Sequence, residues 1–340
     1  MTDTALSTTP VQPVATPTQR PFMRDLFAVG VIVVIAVAGF FLLPTNLALL
    51  THIVAVMLLV LSLDLVTGYA GVATLGHAAL YGAGAYAAGI AATKFGIVDP
   101  IAMLGIGAVG GALVGLLSSA VILRGHGLSQ LVLSIAVVQL VREAANKASG
   151  WTGGSDGLSG IAPTPLLGLF RFDLYGRTAF IMAVVLLILV FIALRIIVRS
   201  PFGMLCRGIK EDKVRVRAMG APVYTTLVKL YVISGAVAGL GGALAAVTTK
   251  VVGLDSVSFE MSAEAMVMLV LGGTGQLFGA MLGTLVFIWF EDMVSTINPF
   301  HWLTIIGALL VIVVLFAPKG FMGAGNALIK ALQRRSGGAK

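Results

Sequence analysis

Long apolar runs separated by short polar joints set the pattern of this chain. Runs at 26–43, 46–66, 69–93, 101–123, 178–198 and 227–247 approach or exceed the about 20 residues that a helix needs to cross hydrocarbon, and a shorter candidate lies at 128–141. Three more follow at 263–271, 277–290 and 302–316. The run 263–271 is too short for a full crossing by itself, which leaves two readings: a re-entrant half-helix, or a crossing that its flanking residues complete.

Charge orients these runs. Arg20 and Arg24 precede the first, Arg124 follows the fourth, and Lys319, Lys330, Arg334, Arg335 and Lys340 close the chain. A polar, basic island at 199–229 carries Arg199, Arg207, Lys210, Lys213, Arg215 and Arg217. Positive charge is retained on the cytoplasmic side, and all these residues face it if the short run crosses. The expected fold is an all-α polytopic membrane protein of about ten transmembrane spans, some broken or re-entrant, with both termini cytoplasmic. Residues 1–24, rich in Thr, Pro and Ser, are expected to form a disordered cytoplasmic tail. The membrane domain then covers 25–318, with a cytoplasmic loop at 199–226 and an external loop at 143–176. Residues 319–340 form a basic cytoplasmic tail.

Composition supports this class. The 340 residues are 58% hydrophobic and 11% charged, with mean hydropathy +1.04, whereas soluble domains carry about a quarter charged residues. The net charge of +8 is no nucleic-acid footprint, because the basic residues lie between spans. A single cysteine, Cys206, allows no internal disulfide. The four histidines, His52, His77, His126 and His301, show no paired metal-ligand spacing.

Candidate chemistry is sparse. No GxxxxGK[ST] or HExxH motif occurs, so the chain is read as a non-enzyme with no cofactor and no metal. Gly272-Gly273-Thr274-Gly275 lacks a following Lys and lies between apolar runs, which argues against phosphate binding. Gly107, Gly111 and Gly115, like Gly235 and Gly239, or Gly279 and Gly283, are spaced four apart, the pattern of close helix packing. Two clusters, 68–84 and 272–283, add polar residues at membrane depth and read as broken helices lining a pathway. Candidate pathway residues are Asp64, Gly68, Gly71, Thr74, His77, Gly82, Gln139, Gly272 and Gly273. For Asp64 the competing reading is capping of the 68–71 backbone; for His77 and Ser134 it is tying helices together. Leu205, Ile209 and Val216 share one face of an amphipathic helix, which fits either anionic lipid or a cytoplasmic partner. The external stretch Trp151–Ile161 reads either as a solvated connection or as a docking site.

Longer stretches resemble a known family. LDLVTGYAGVATLGHAALYGAGAY at 63–86 is similar to the signature of the branched-chain amino-acid permeases of ABC importers, the Liv family. TGGSDGLSGI at 152–161 resembles the external loop of its M-type subunit, and RSPFGMLCRGIKEDKVRVRAMG at 199–220 its cytoplasmic coupling loop. SFEMSAEAMVMLVLGGTGQLFGAMLG at 258–283 and FAPKGFMG at 316–323 resemble the last third. Two departures stand out: Lys213, Val214, Arg215 and Val216 replace the family's frequent Glu-x-Ala-Ala, and Ala73-Thr74 stands where a Ser is usual.

The resemblance implies a bacterial inner-membrane permease subunit without its own ATPase. Its partners would be an H-type permease in a heterodimer, two cytoplasmic ATP-binding subunits and a periplasmic substrate-binding protein. Its cargo would be branched-chain or related amino acids, or alternatively urea, amides or aromatic acids. Arg207, Glu211, Asp212 and Gly220 match the coupling loop, which would enter a cleft on the ATPase. An ion-coupled secondary transporter is the rival class, with Asp64 and His77 as its coupling groups.

Overall fold

A computed structural model of the chain describes residues 21–165 and 176–297, with isolated positions at 170, 304, 305, 307, 308 and 311. The expected tails before residue 21 and after 318, and most of the expected span 302–316, lie outside the described residues. The described residues form helices joined by short turns. Strand-like pairing in fully described segments is one antiparallel bridge between Leu158 and Val252.

The helices are α1 (Pro21–Leu42), α2 (Leu47–Leu63), α3 (His77–Phe95), α4 (Pro100–Ile122), α5 (Leu128–Lys147) and α6 (Ser149–Thr152). They continue as α7 (Arg177–Arg199), α8 (Pro201–Glu211), α9 (Lys213–Ala218), α10 (Val223–Thr249), α11 (Phe259–Gly272) and α12 (Leu277–Ile297). Among the described residues, six helical stretches are long and apolar enough to cross a membrane: Leu47–Tyr69, Pro100–Ile122, Leu128–Lys147, Arg177–Arg199, Val223–Thr249 and Leu277–Ile297.

Local chemistry sets the ends. Asp99 caps α4 by accepting from Ile101 N at 3.1 Å, with Pro100 in the first helical position. Ser200 followed by Pro201 starts α8 in the same way, and Ser258 starts α11 by accepting from Met261 N at 3.0 Å. Pro21 likewise opens α1, so residues 21–24 are helical and the expected tail stops short of them.

Helices α2 and α10 form the centre. Helix α10 packs along α4, α3 and α2, while α2 also meets α7 and α12. Along α4 and α10 the contact is backbone on backbone. A Cβ on Gly107 would stand 3.0 Å from the Gly239 and Gly84 carbonyl oxygens, and one on Gly115 2.7 Å from the Tyr231 carbonyl oxygen. These glycines lie inside regular helices, and their role is close approach. Apolar side chains such as Leu117, Val132, Val185, Leu189 and Ile196 point outward from α4, α5 and α7.

The expected break across 68–84 is much shorter in the structure. Residues 70–76 leave helical geometry, and His77 already begins α3, so Gly82 and Gly84 lie in regular helix. The second break is confined to 273–276; Gly279 and Gly283 belong to α12 and pack on α11.

Candidate functional site: the junction of α8 with the helix breaks

Helix α2 does not end as an ordinary α-helix. Its last turns widen into a π-helical segment, Asp64–Tyr69, a geometry that is rare and concentrates at functional sites. Asp64 is fully buried there, and its Oδ1 accepts from the backbone N of Gly275 at 2.6 Å. The expected capping of 68–71 is therefore corrected: the Asp64 carboxylate holds the other break. Gly68 makes room for this contact. A Cβ on it would lie 2.8 Å from Asp64 Cγ and 2.5 Å from Gly275 N.

Helix α8 closes the junction. Lys210 Nζ donates to the Gly68 carbonyl at 2.6 Å, and the Arg207 guanidinium lies 5.1 Å from the centre of the Tyr69 ring. Gly71, with φ +70°, lies against Lys210, whose Cα would be 3.3 Å from a Cβ on it. The apolar face of α8 and α9 is spent inside the chain. Cys206, Ile209 and Val216 are buried in the common core, and Leu205 is half-buried. Of the two occupants expected for that face, lipid or partner, neither takes it; the chain's own helices do. Burial also pushes the Cys206 thiol up to about 11, which makes it a poor nucleophile.

A second set of bonds lies where the chain re-enters at α3. The Ser234 hydroxyl donates to the Ser62 carbonyl at 2.8 Å, so it accepts from His77 Nε2 at 2.9 Å. That fixes the proton on Nε2 and makes His77 a tie between α2, α3 and α10. Leu75 N donates to Ser134 Oγ at 2.9 Å, and Ala78 N donates to Ser262 Oγ at 3.0 Å. The Thr74 hydroxyl accepts from Gly76 N at 3.1 Å. Residues 74–78 are thus held by α5, α10 and α11 at once.

The other sequence-expected residues fall in several places. Gly82 packs against the 3₁₀ turn Leu254–Val257, with the Ser256 carbonyl oxygen 2.9 Å from a Cβ built on it. Gly272 closes α11, and Gly273, with φ +106°, begins the second break. Gln139 is exposed on α5 and stands apart from the junction. Asp212 caps α9, its Oδ1 accepting from Val214 N at 2.9 Å and Arg215 N at 3.0 Å; these bonds hold its carboxyl below the usual range. Gly220, with φ +80°, follows the end of α9. Glu211 is exposed as the last residue of α8, where a negative charge opposes the helix dipole. An apolar cleft lined by Ile53, Met57, Phe180, Phe278 and Met281, among others, contains none of the expected pathway residues.

Sequence reading missed Ser62, Ser234, Ser262 and the inward role of Lys210. Ser234 precedes a packing glycine, and Lys210 lies in a run of charges, so neither stands out by pattern.

The stretch 151–161, expected outside, is ordered. Leu158 and Val252 exchange backbone bonds at 2.8 and 2.9 Å, and Ile161 is buried beside Gly89. Residues 143–147, expected in the loop, complete α5. The expectation that the chain lacks a GxSxG motif is corrected: residues 153–157 spell one, but Ser155 is exposed on a turn and bonds Asp156 at 3.4 Å, with no histidine engaged among the described residues.

Comparison with known proteins identifies the family. The family described as branched-chain amino acid transport system / permease component matches residues 45–314. The high-affinity branched-chain amino acid transport system permease protein LivM of Escherichia coli K12 is 26% identical over 325 residues, covering 88% of this chain and 75% of its own. The LivM protein of Salmonella typhimurium LT2 is 25% identical, covering 93% of this chain and 78% of its own. No solved structure matches the chain. With the family match spanning both breaks and the whole 199–226 loop, the chain belongs to the branched-chain amino acid transport permease family.

Proposed function

We propose that this permease subunit works in the bacterial inner membrane as the M-type half of an ATP-driven importer for leucine, isoleucine and valine. It pairs with an H-type permease, two ATP-binding subunits and a periplasmic binding protein. The observation that carries the reading is the junction itself. The helix expected to meet an ATPase is bonded through Lys210 to the Gly68 carbonyl, at the end of a broken membrane helix. Motion imposed on α8 therefore reaches the membrane domain without a flexible linker, as alternating access requires.

Contacts between the breaks support ten crossings with both termini inside. Val257 lies against Gly82, Ser262 meets Ala78, and Gly275 meets Asp64 at the end of α2. The segment from 250 to 272 thus runs from the outer part of α3 to the α8 side. Helix α11, at 14 residues, completes a crossing that the preceding turn begins. Helix α12 then follows the second break, which lies beside Lys210 of α8.

What remains outward on the cytoplasmic loop is suited to the ATPase. Val214 is 79% and Met219 72% exposed, flanked by Arg215 and Arg217. Glu211 and Gly220, which have no packing role inside the chain, belong to that surface. The pathway follows the two breaks, where helix ends offer dipoles to a zwitterion without a fixed net charge. Trp151–Ile161 faces the periplasm near the docked binding protein.

The ion-coupled rival fits the geometry less well. Asp64 and His77, its two candidate groups, are each engaged in holding helices together.

Reconstitution in proteoliposomes tests the proposal. With the partner subunits and binding protein, leucine uptake is expected to require ATP, and valine and isoleucine to compete. Competition by urea or an aromatic acid in their place would reassign the cargo. Uptake by this chain alone, driven by a sodium or proton gradient, would overturn the ABC reading.

A further inference from the structure

Three segments distant in sequence meet at the Gly68 carbonyl. The π-helical segment supplies that carbonyl, α8 supplies Lys210 Nζ at 2.6 Å, and the 273–276 break supplies Gly275. A Cβ built on Gly275 would lie 3.2 Å from Gly68 O and 3.9 Å from Lys210 Nζ, so the three groups share one spot. Asp64 completes the set, with Oδ1 on Gly275 N. A π-helical turn leaves a carbonyl displaced from the regular ladder, and a fixed ammonium is a strong donor to it. Arg207, beside the Tyr69 ring and within reach of its hydroxyl, is a second contact of α8 with the π-helical segment, made to a side chain rather than to the freed backbone.

We propose that Lys210 is the coupling residue of this permease: by capping the Gly68 carbonyl it fastens α8 to both helix breaks, so that one displacement of α8 moves the 70–76 and 273–276 segments together. The inference rests on the reading of α8 as the helix an ATPase moves. It adds which bond carries the motion, and that the second break is driven through the first by the Asp64–Gly275 bond. Lys210 is thus a positioning residue. It touches no cargo, and its loss disconnects two movements rather than removing a binding group.

The test reads the connection separately from transport. Thr274 is exposed on the second break, and the native Cys206 is buried with a raised pKa, so a T274C variant offers one reactive thiol against a silent background. In the assembled complex, the maleimide labelling rate at T274C is expected to change on addition of ATP. Lys210→Met, which keeps the aliphatic stem and loses the donor, is expected to abolish that change. ATP hydrolysis should continue while leucine moved per ATP falls about tenfold, within the usual range of coupling between sites. Lys210→Arg, which keeps a cationic donor, is expected to restore much of both. An ATP-dependent labelling change that persists in Lys210→Met overturns the proposal, whatever the cargo proves to be. Loss of that change in a complex that transports another substrate supports the proposal while correcting the cargo. If Lys210→Met fails to assemble, Lys210→Gln in the same labelling experiment decides between the same two outcomes.

Discussion

Two glycine-rich regions of this protein look alike in sequence and do opposite things. At the seam between α4 and α10, Gly107, Gly111, Gly115, Gly235 and Gly239 sit in unbroken helix and let backbones touch. At the breaks, Gly71, Gly273 and Gly275 adopt φ of +70°, +106° and +78°, where a side chain is strained, and the helices stop. The seam joins neighbours into a rigid unit. The breaks lie under α8, tied to it by Lys210 and to each other by Asp64. Small-residue spacing alone therefore does not distinguish a hinge from a weld. The backbone sign, and what bonds to the freed carbonyls, do.

Substitutions at the two regions should fail differently. The largest effect is expected at the seam. Gly239→Leu places a side chain where the Gly107 and Gly111 backbones lie, an overpacking of about 3 kcal/mol or more. Loss of folded protein by size-exclusion chromatography in detergent would bear this out; a normal, active complex would show that the seam tolerates separation. Gly68→Val at the break is expected to leave the complex assembled and nearly abolish uptake, because it drives Asp64 from Gly275. Loss of assembly instead would make that break another weld.

A smaller effect separates charge from geometry at Asp64. Asp64→Ala leaves the buried Gly275 N–H without its acceptor, a cost of about 1–3 kcal/mol. Uptake should fall about tenfold or more, since about 1.4 kcal/mol corresponds to a factor of ten. Asp64→Asn keeps an acceptor and should retain most uptake. Equal loss in both variants would make the negative charge itself essential and favour an ion or cargo site. The smallest effect is expected at His77. His77→Asn should lower stability in thermal denaturation by about 1 kcal/mol, the scale of one interhelical hydrogen bond in a membrane, with uptake nearly unchanged. Loss of uptake with unchanged stability would mark His77 as a transport group.

Much of the architecture was legible in the sequence because hydropathy and cap chemistry act locally. The runs at α4, α7, α10 and α12 coincide with helices, and Asp99-Pro100 and Ser200-Pro201 mark starts. The extent of the first break was not legible. Residues 70–76 read AGVATLG, as apolar as the helix that follows, and what holds them is hydroxyls on α5, α10 and α11. Asp64 was recognisable as costly at depth, but its partner is 211 residues away. Lys210 lies 142 residues from Gly68 and looks like any surface lysine. The amphipathic face of α8 was visible, whereas what covers it depends on tertiary placement. The family resemblance drawn from the long motifs agrees with the match over residues 45–314.

The central claim is that α8 and the breaks move as one body against a rigid seam. Spin labels at the exposed positions Met204 on α8, Thr274 on the second break and Val109 on the seam helix α4 report this directly by pulsed electron resonance. In the reconstituted complex, trapping the ATP-bound state is expected to change the 274–109 distance and leave the 274–204 distance unaltered. An unaltered 274–109 distance, or a 274–204 distance that changes with it, would contradict the account.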